Sequence, residues 1–185
     1  MKKIKQEKDK KGGSSNRWPL IAFFMAVVLS AMLTLASEAM LDGAGMTVAL
    51  LILLLFIVLG ILFDIIGVAV TAADPKPFHS MASHREKGAK QALMLLRNAD
   101  RVSSICNDVV GDICGIVSGA TGAVIVALLQ SGLNARSVLV SVGVTALISG
   151  LTIGGKAMGK PFAMKQSTRV VYLAGRILYV FRKRR

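Results

Sequence analysis

Apolar and polar positions along this chain fall into long blocks rather than alternating. Four nearly unbroken apolar stretches, at roughly 18–40, 47–73, 109–130 and 137–155, are each close to the ~20 residues that a 30 Å hydrocarbon core requires. They predict four membrane-spanning helices. Between the second and third stretches the pattern takes a helical period. In HSMASHREKGAKQALMLLRNADR, Ala89, Ala92, Leu93, Leu95 and Leu96 recur among cations, which predicts an amphipathic helix lying on the membrane surface. The preceding DPKP stops the second span, because proline lacks the amide that would continue it. The tail MKQSTRVVYLAGRILYVFRKRR predicts a second interfacial helix. Ser167 is its expected N-cap, Val170, Val171, Leu173, Ala174, Ile177, Leu178 and Phe181 its apolar side, and Tyr172 and Tyr179 its interface anchors.

The predicted architecture is therefore all-α and polytopic, with four transmembrane helices and two cytoplasmic amphipathic juxtamembrane helices. Residues 1–16, lysine-rich and then Gly/Ser-rich, predict a disordered basic tail. The membrane domain covers 17–156, including a cytoplasmic helical segment at 74–108, and a basic amphipathic helix covers 157–185. The first span begins like a secretion signal and ends LTLASEA. Its apolar run exceeds the 7–15 residues usual in a signal, and another span follows at once, so a retained helix is expected.

Composition changes this picture little, but charge adds an orientation. The 185 residues are 54% hydrophobic and only 5% aromatic, as expected of a membrane domain. Lys and Arg number 23 against 10 Asp and Glu, giving a net charge of +13. In a soluble protein that excess would point to nucleic acid. Here the cations lie in blocks between spans, without interleaved aromatics for base stacking, and nucleic acid is not an expected partner. The loops LDGAGM and SGLNAR hold only Arg136, so 22 of the 23 cations fall on one side. The positive-inside rule makes that side cytoplasmic and puts both termini inside a cell membrane. The basic side also attracts anionic headgroups.

Chemistry must be sought where polar residues interrupt apolar sequence. Asp64 lies in ALLILLLFIVLGILFDIIGVAV, Asp112 near the start of the third stretch, and Lys156 just after the fourth. Ionisable residues at such positions usually face a partner, a cavity or an ion. Asp64, Asn107, Asp108 and Asp112 form a candidate set of oxygen ligands suited to Mg²⁺ or another hard cation. Asp108 and Asp112 are four apart and share a helix face. Two other readings stand beside this one: Asp108 as a cap of the third helix, and an internal ion pair between Asp64 or Asp112 and Lys156. Gly111, Gly115 and Gly119, spaced by four, are expected helix-packing positions that let backbones approach closely. Cys106 and Cys114 lack CxxC spacing and are expected as free thiols. No nucleophile–base arrangement, HExxH, GxSxG or phosphate-binding loop is present, so an enzyme is not expected.

From Phe63 to about Phe181 the chain resembles the transmembrane domain of the CorC/cyclin M family of magnesium and cobalt efflux proteins. KGAKQALMLLRNADRV is similar to that family's cytoplasmic helix, CNDVVGD to its motif opening the next span, and GKAMGKPFAMKQSTRVV to its motif closing the last. Asn107 falls at the family's asparagine and Lys160 at its motif lysine. Asp64 stands at the position of its serine and Lys156 at that of its glutamate. The resemblance implies transport of Mg²⁺ or Co²⁺, or its regulation, with a largely dehydrated Mg²⁺ held near Asp64 and Asn107. A homodimer is expected through the glycine-rich faces. The family's nucleotide-sensing CBS pair does not follow Arg185, so a separate cytosolic regulatory chain is an expected partner. The substitution by Lys156 gives the competing expectation: a non-transporting membrane scaffold whose ion site is replaced by an Asp64–Lys156 pair.

Overall fold

The computed structural model describes residues 18–43, 45–133 and 138–183. Its helices are α1 (Trp18–Leu41), α2 (Met46–Ala72), α3 (Lys76–Ser83), α4 (Ala89–Arg97), α5 (Ala99–Ser104), a π-helical segment (Ile105–Gly111), α6 (Asp112–Leu133), α7 (Val138–Lys165) and α8 (Ser167–Lys183). No strand occurs among the described residues. The predicted tail at 1–16 lies outside them.

Four helical stretches are long and apolar enough to cross a membrane: Pro19–Leu41, Met46–Ala72, Ala99–Ser131 and Val138–Lys165. Together they mark the chain as a multi-pass helical membrane protein. The third and fourth are longer than the hydropathy pattern predicts. The third begins at Ala99, because Arg101, Val102, Ser103 and Ser104 offer neither glycine nor proline to interrupt it, and the chain runs helically into the apolar block. Asp108 therefore sits inside a continuous helix and is not its cap. The fourth runs on to Lys165 and carries Pro161 within it. At 28 residues α7 is about 42 Å long, longer than the ~30 Å that an untilted helix needs to cross a hydrocarbon core.

α2 is the axis around which the rest is arranged, packing against α6, α7, the π segment, α5 and α8. Ile52 and Phe56 meet Val109, Ile113, Cys114 and Val117. Ala49, Leu53 and Ile57 meet Ile125 and Ile148. At the basic end, Ala69 and Val70 form a third core with Phe78, Ala92, Ala163 and Val171.

Between α2 and the third span the chain forms two short helices, α3 and α4, rather than one. Asp74 Oδ1 accepts a hydrogen bond from the Lys76 amide at 2.9 Å, closing the turn out of α2. Arg85, at φ +57°, and Gly88, at φ +95°, then take left-handed backbone that no α-helix continues through. Gly88 is also where α8 crosses. A Cβ on Gly175 would lie 2.7 Å from Gly88 O and 2.8 Å from Ala92 N, so this crossing accepts only glycine. α8 begins at Ser167 itself, one residue earlier than a Ser167 cap would require; Gln166 O accepts from the Val170 amide at 3.0 Å.

Candidate functional site at the junction of α2, the π segment and α7

The polar residues of the apolar blocks meet where three helices converge. α2 contributes Asp64, which is 7% exposed amid otherwise apolar neighbours. Lys156 of α7 brings its Nζ to 3.9 Å from Asp64 Oδ1. That separation is an ion pair but not a hydrogen bond, which would need ~3 Å. At an effective dielectric of about 20, charges 4 Å apart attract by ~4 kcal/mol, before the larger cost of desolvating both. The lysine side chain keeps 24% of its surface exposed and the aspartate 10%, so the pair is more open on the lysine side.

One turn further along α2, Gly67 lies directly against the Asn107 carboxamide; a Cβ there would overlap it. Asn107 Nδ2 donates to Ser103 Oγ at 3.3 Å, fixing the amide's orientation. Its other end is left over. Asn107 Oδ1 and Asp64 Oδ2 are both buried and have no hydrogen-bond partner. An unsatisfied buried acceptor costs ~1–3 kcal/mol, more when charged, so both oxygens call for a donor, a water or a cation. A Cβ at Gly111 would sit 3.5 Å from Lys156 Nζ, in ordinary contact, so the ammonium lies against the π segment at this glycine.

The π turn explains which polar residues enter the junction. Wide turns of this kind occur inside α-helices chiefly at functional sites. This one carries Asn107 and Gly111, four apart, toward α2 and α7. Asp108 and Asp112, also four apart, are exposed. The structure thus brings together Asp64, Asn107, Gly111 and Lys156, and leaves Asp108 and Asp112 outside. Among the described residues, no three His, Cys, Asp or Glu side chains are grouped so that they could hold a metal ion.

The glycine series also divides. Gly111 is buried in the junction, whereas Gly115 and Gly119 are exposed and a Cβ on either would meet nothing. They line a groove of about 210 Å³ between α6 and α7 with Gly122, Thr145, Ile148 and Ser149. Cys106 and Cys114 are free and buried; Cys114 packs against Gly60 of α2. Gly60 and Gly67 were not among the expected site residues, although they interrupt an otherwise bulky apolar run seven residues apart, which is the signal that could have revealed them. Ser103 had no such signal.

Comparison with known proteins adds no family: no family model, no curated protein and no solved structure matches the chain significantly.

Proposed function

We propose that this chain is a membrane domain for divalent-cation transport or its regulation, with Mg²⁺ or Co²⁺ as cargo at the Asp64–Asn107 junction. The observation that carries the reading is the pair of buried, unpartnered oxygens, Asp64 Oδ2 and Asn107 Oδ1, on facing helices. Hard oxygen donors suit Mg²⁺, which retains several waters and commonly needs only one or two carboxylates. Lys156 then acts as a tethered cation that competes with the cargo for Asp64. The resemblance to CorC/cyclin M transmembrane domains supports the same reading. It goes with a cell-membrane location, both termini cytoplasmic, a homodimer formed at the α6–α7 groove, and a separate cytosolic regulatory chain. Nucleic acid has no part in it.

A second reading is favoured by the 3.9 Å approach of Lys156 to Asp64. One lysine facing one carboxylate leaves the junction neutral, as in a scaffold whose ion site is permanently filled by its own side chain. Thermal unfolding of the purified chain with and without Mg²⁺ separates the two. On the transport reading Mg²⁺ raises the Tm of the wild type, raises that of Lys156→Gln further, and leaves Asp64→Asn unmoved; a hundredfold excess over Kd is worth ~2.7 kcal/mol. On the scaffold reading either single substitution costs ~3–5 kcal/mol, the double Asp64→Asn, Lys156→Gln restores most of it, and Mg²⁺ does nothing. Rescue by the double with no Mg²⁺ effect on the wild type ends the transport reading.

A further inference from the structure

A second polar feature lies at the basic end, away from the cation junction. The left-handed turn between α3 and α4 and the flank of α8 line a half-open surface cleft of about 440 Å³. That lies within the ~300–1,000 Å³ usual for small-ligand sites. Arg85, Lys87 and Lys90 supply three cations to its wall against the single carboxylate of Glu86, and Gln91 and Tyr179 add neutral polar groups. Among the described residues none of these three cations has a carboxylate within salt-bridge distance. Like charges held together without counterions raise one another's energy, so the cleft favours an anion.

Its geometry is fixed rather than fortuitous. Arg85 holds φ +57°, a conformation that a residue with a Cβ adopts at a cost, and Gly88 at φ +95° locks the turn under α8. Gly88 is the N-cap of α4 and offers no side-chain cap, so the helix start forms part of the same wall.

The neighbouring surface says what kind of anion. α8 buries Val171 and Gly175 against the protein, yet Leu173, Ile177 and Val180, at i, i+4 and i+7, are 56%, 57% and 53% exposed. This stripe lies on the opposite side of α8 from its packed face, flanked by the exposed cations Arg169 and Arg176. At 100° per residue Tyr179 falls between the packed face and the stripe, and Arg176 and Arg169 occupy the sector between it and the stripe, so a row of cations leads from the cleft to the apolar track. A soluble phosphate would use the cations and ignore the track. A phospholipid would use both, its headgroup phosphate among Arg85, Lys87 and Lys90 and its acyl chains along Leu173, Ile177 and Val180.

We infer that the α3–α4 turn and α8 form a binding site for an anionic membrane phospholipid. This inference goes beyond the cation reading and does not depend on it. The test uses the purified full chain in detergent micelles, titrated with phosphatidylglycerol, with phosphatidylcholine, and with inorganic phosphate, and read by native mass spectrometry and by Tm. Phosphatidylglycerol should be retained and should raise Tm, while the other two should not. Arg85→Gln, Lys87→Gln, Lys90→Gln together should weaken phosphatidylglycerol retention by at least about tenfold, as each cation near a lipid surface contributes ~1 kcal/mol, or about fivefold. A control triple, Lys76→Gln, Lys160→Gln, Lys165→Gln, at exposed cations outside the cleft and the stripe, should weaken it much less. If the first triple proves unstable in the detergent micelles, the single reversal Lys87→Glu should still lose about fivefold or more. Equal losses from the two triples, equal retention of the two lipids, or binding of inorganic phosphate as tight as that of the lipid would each overturn the inference.

Discussion

α1 and α2 are both predominantly apolar, each with a single carboxylate, and have mean hydropathies of 2.4 and 3.2 over their most apolar windows, yet only 6% of the first window is buried against 39% of the second. In water the more apolar helix would simply be the more buried. In lipid, apolarity gives no such instruction, because the surrounding chains are as apolar as leucine. What differs is shape. α1 contains no glycine, whereas α2 carries Gly60 against Cys114 and Gly67 against Asn107, two places where a neighbour comes close to its backbone. α7 repeats the contrast within one helix. Its Gly155 and Gly159 receive Ile61 and Ile65 of α2, while Gly143, Gly150 and Gly154 meet nothing. Glycine permits close packing; a bulky partner at the matching height decides whether it happens.

The strongest way to break this comparison is to fill the tightest contact. Gly67→Ala would push a methyl group into the Asn107 carboxamide, and overpacking of this kind costs ~1–3 kcal/mol. Gly150→Ala, with open space around it, should leave Tm unchanged or raise it slightly, since alanine is the better helix former by ~0.5–1 kcal/mol. Asn107→Ala combined with Gly67→Ala should recover most of the loss by removing the group that clashes. Equal Tm shifts for Gly67→Ala and Gly150→Ala would mean that α2 is not gripped at Gly67.

The difference between these positions marks how far the sequence could be read. Four spans were legible because each is a long apolar block, and α8 because its apolar residues recur at a helical period above a basic end. The start of the third helix at Ala99 was not, since Asp100, Arg101 and two serines look like loop to any hydropathy window while nothing in them forbids a helix. Asp64 and Lys156 stood out as charges in apolar surroundings, although spacing alone could not tell a metal ligand from an ion pair. The outward placement of Asp108 and Asp112 depends on the rotation of the π turn, which has no signature in ICNDVVG. Nor could the sequence say that Gly111 would point inward and Gly115 outward. Helix rotation is set by packing partners distant in the chain, and the third span itself looks much the same at any rotation.

A smaller effect is expected at the open glycines of α6. If the groove at Gly115 and Gly119 receives a second copy of the chain, Gly115→Ile should weaken self-association by roughly 1–2 kcal/mol while leaving the Tm of the dissociated chain unchanged. Cross-linking in native membranes reads the first, and unfolding at high detergent the second. Val124→Ile, also on α6, serves as the control. Equal weakening by both, or none by Gly115→Ile, would move any interface elsewhere on the molecule.

The smallest effect belongs to α1, and it tests the other half of the comparison. Among the residues of α1 whose side chains are described, only Ser37 is buried; Met25, Ala26, Leu29 and Leu33 pack partly against the α2–α6 core. Val28 is 58% exposed and touches none of this. In lipid, replacing it by alanine removes methyl groups that face acyl chains in both the folded and the unfolded helix, so the transfer term nearly cancels. Val28→Ala should therefore change stability by less than ~0.5 kcal/mol, the usual range for a surface position. Leu29→Ala, one residue on but turned toward the core, should cost more. Should Val28→Ala prove as costly as Leu29→Ala, or loosen self-association where Gly115→Ile does not, then α1 is covered by another chain. Its low burial would in that case describe the isolated protomer, and the dimer would form on the helix without glycines rather than in the groove that has them.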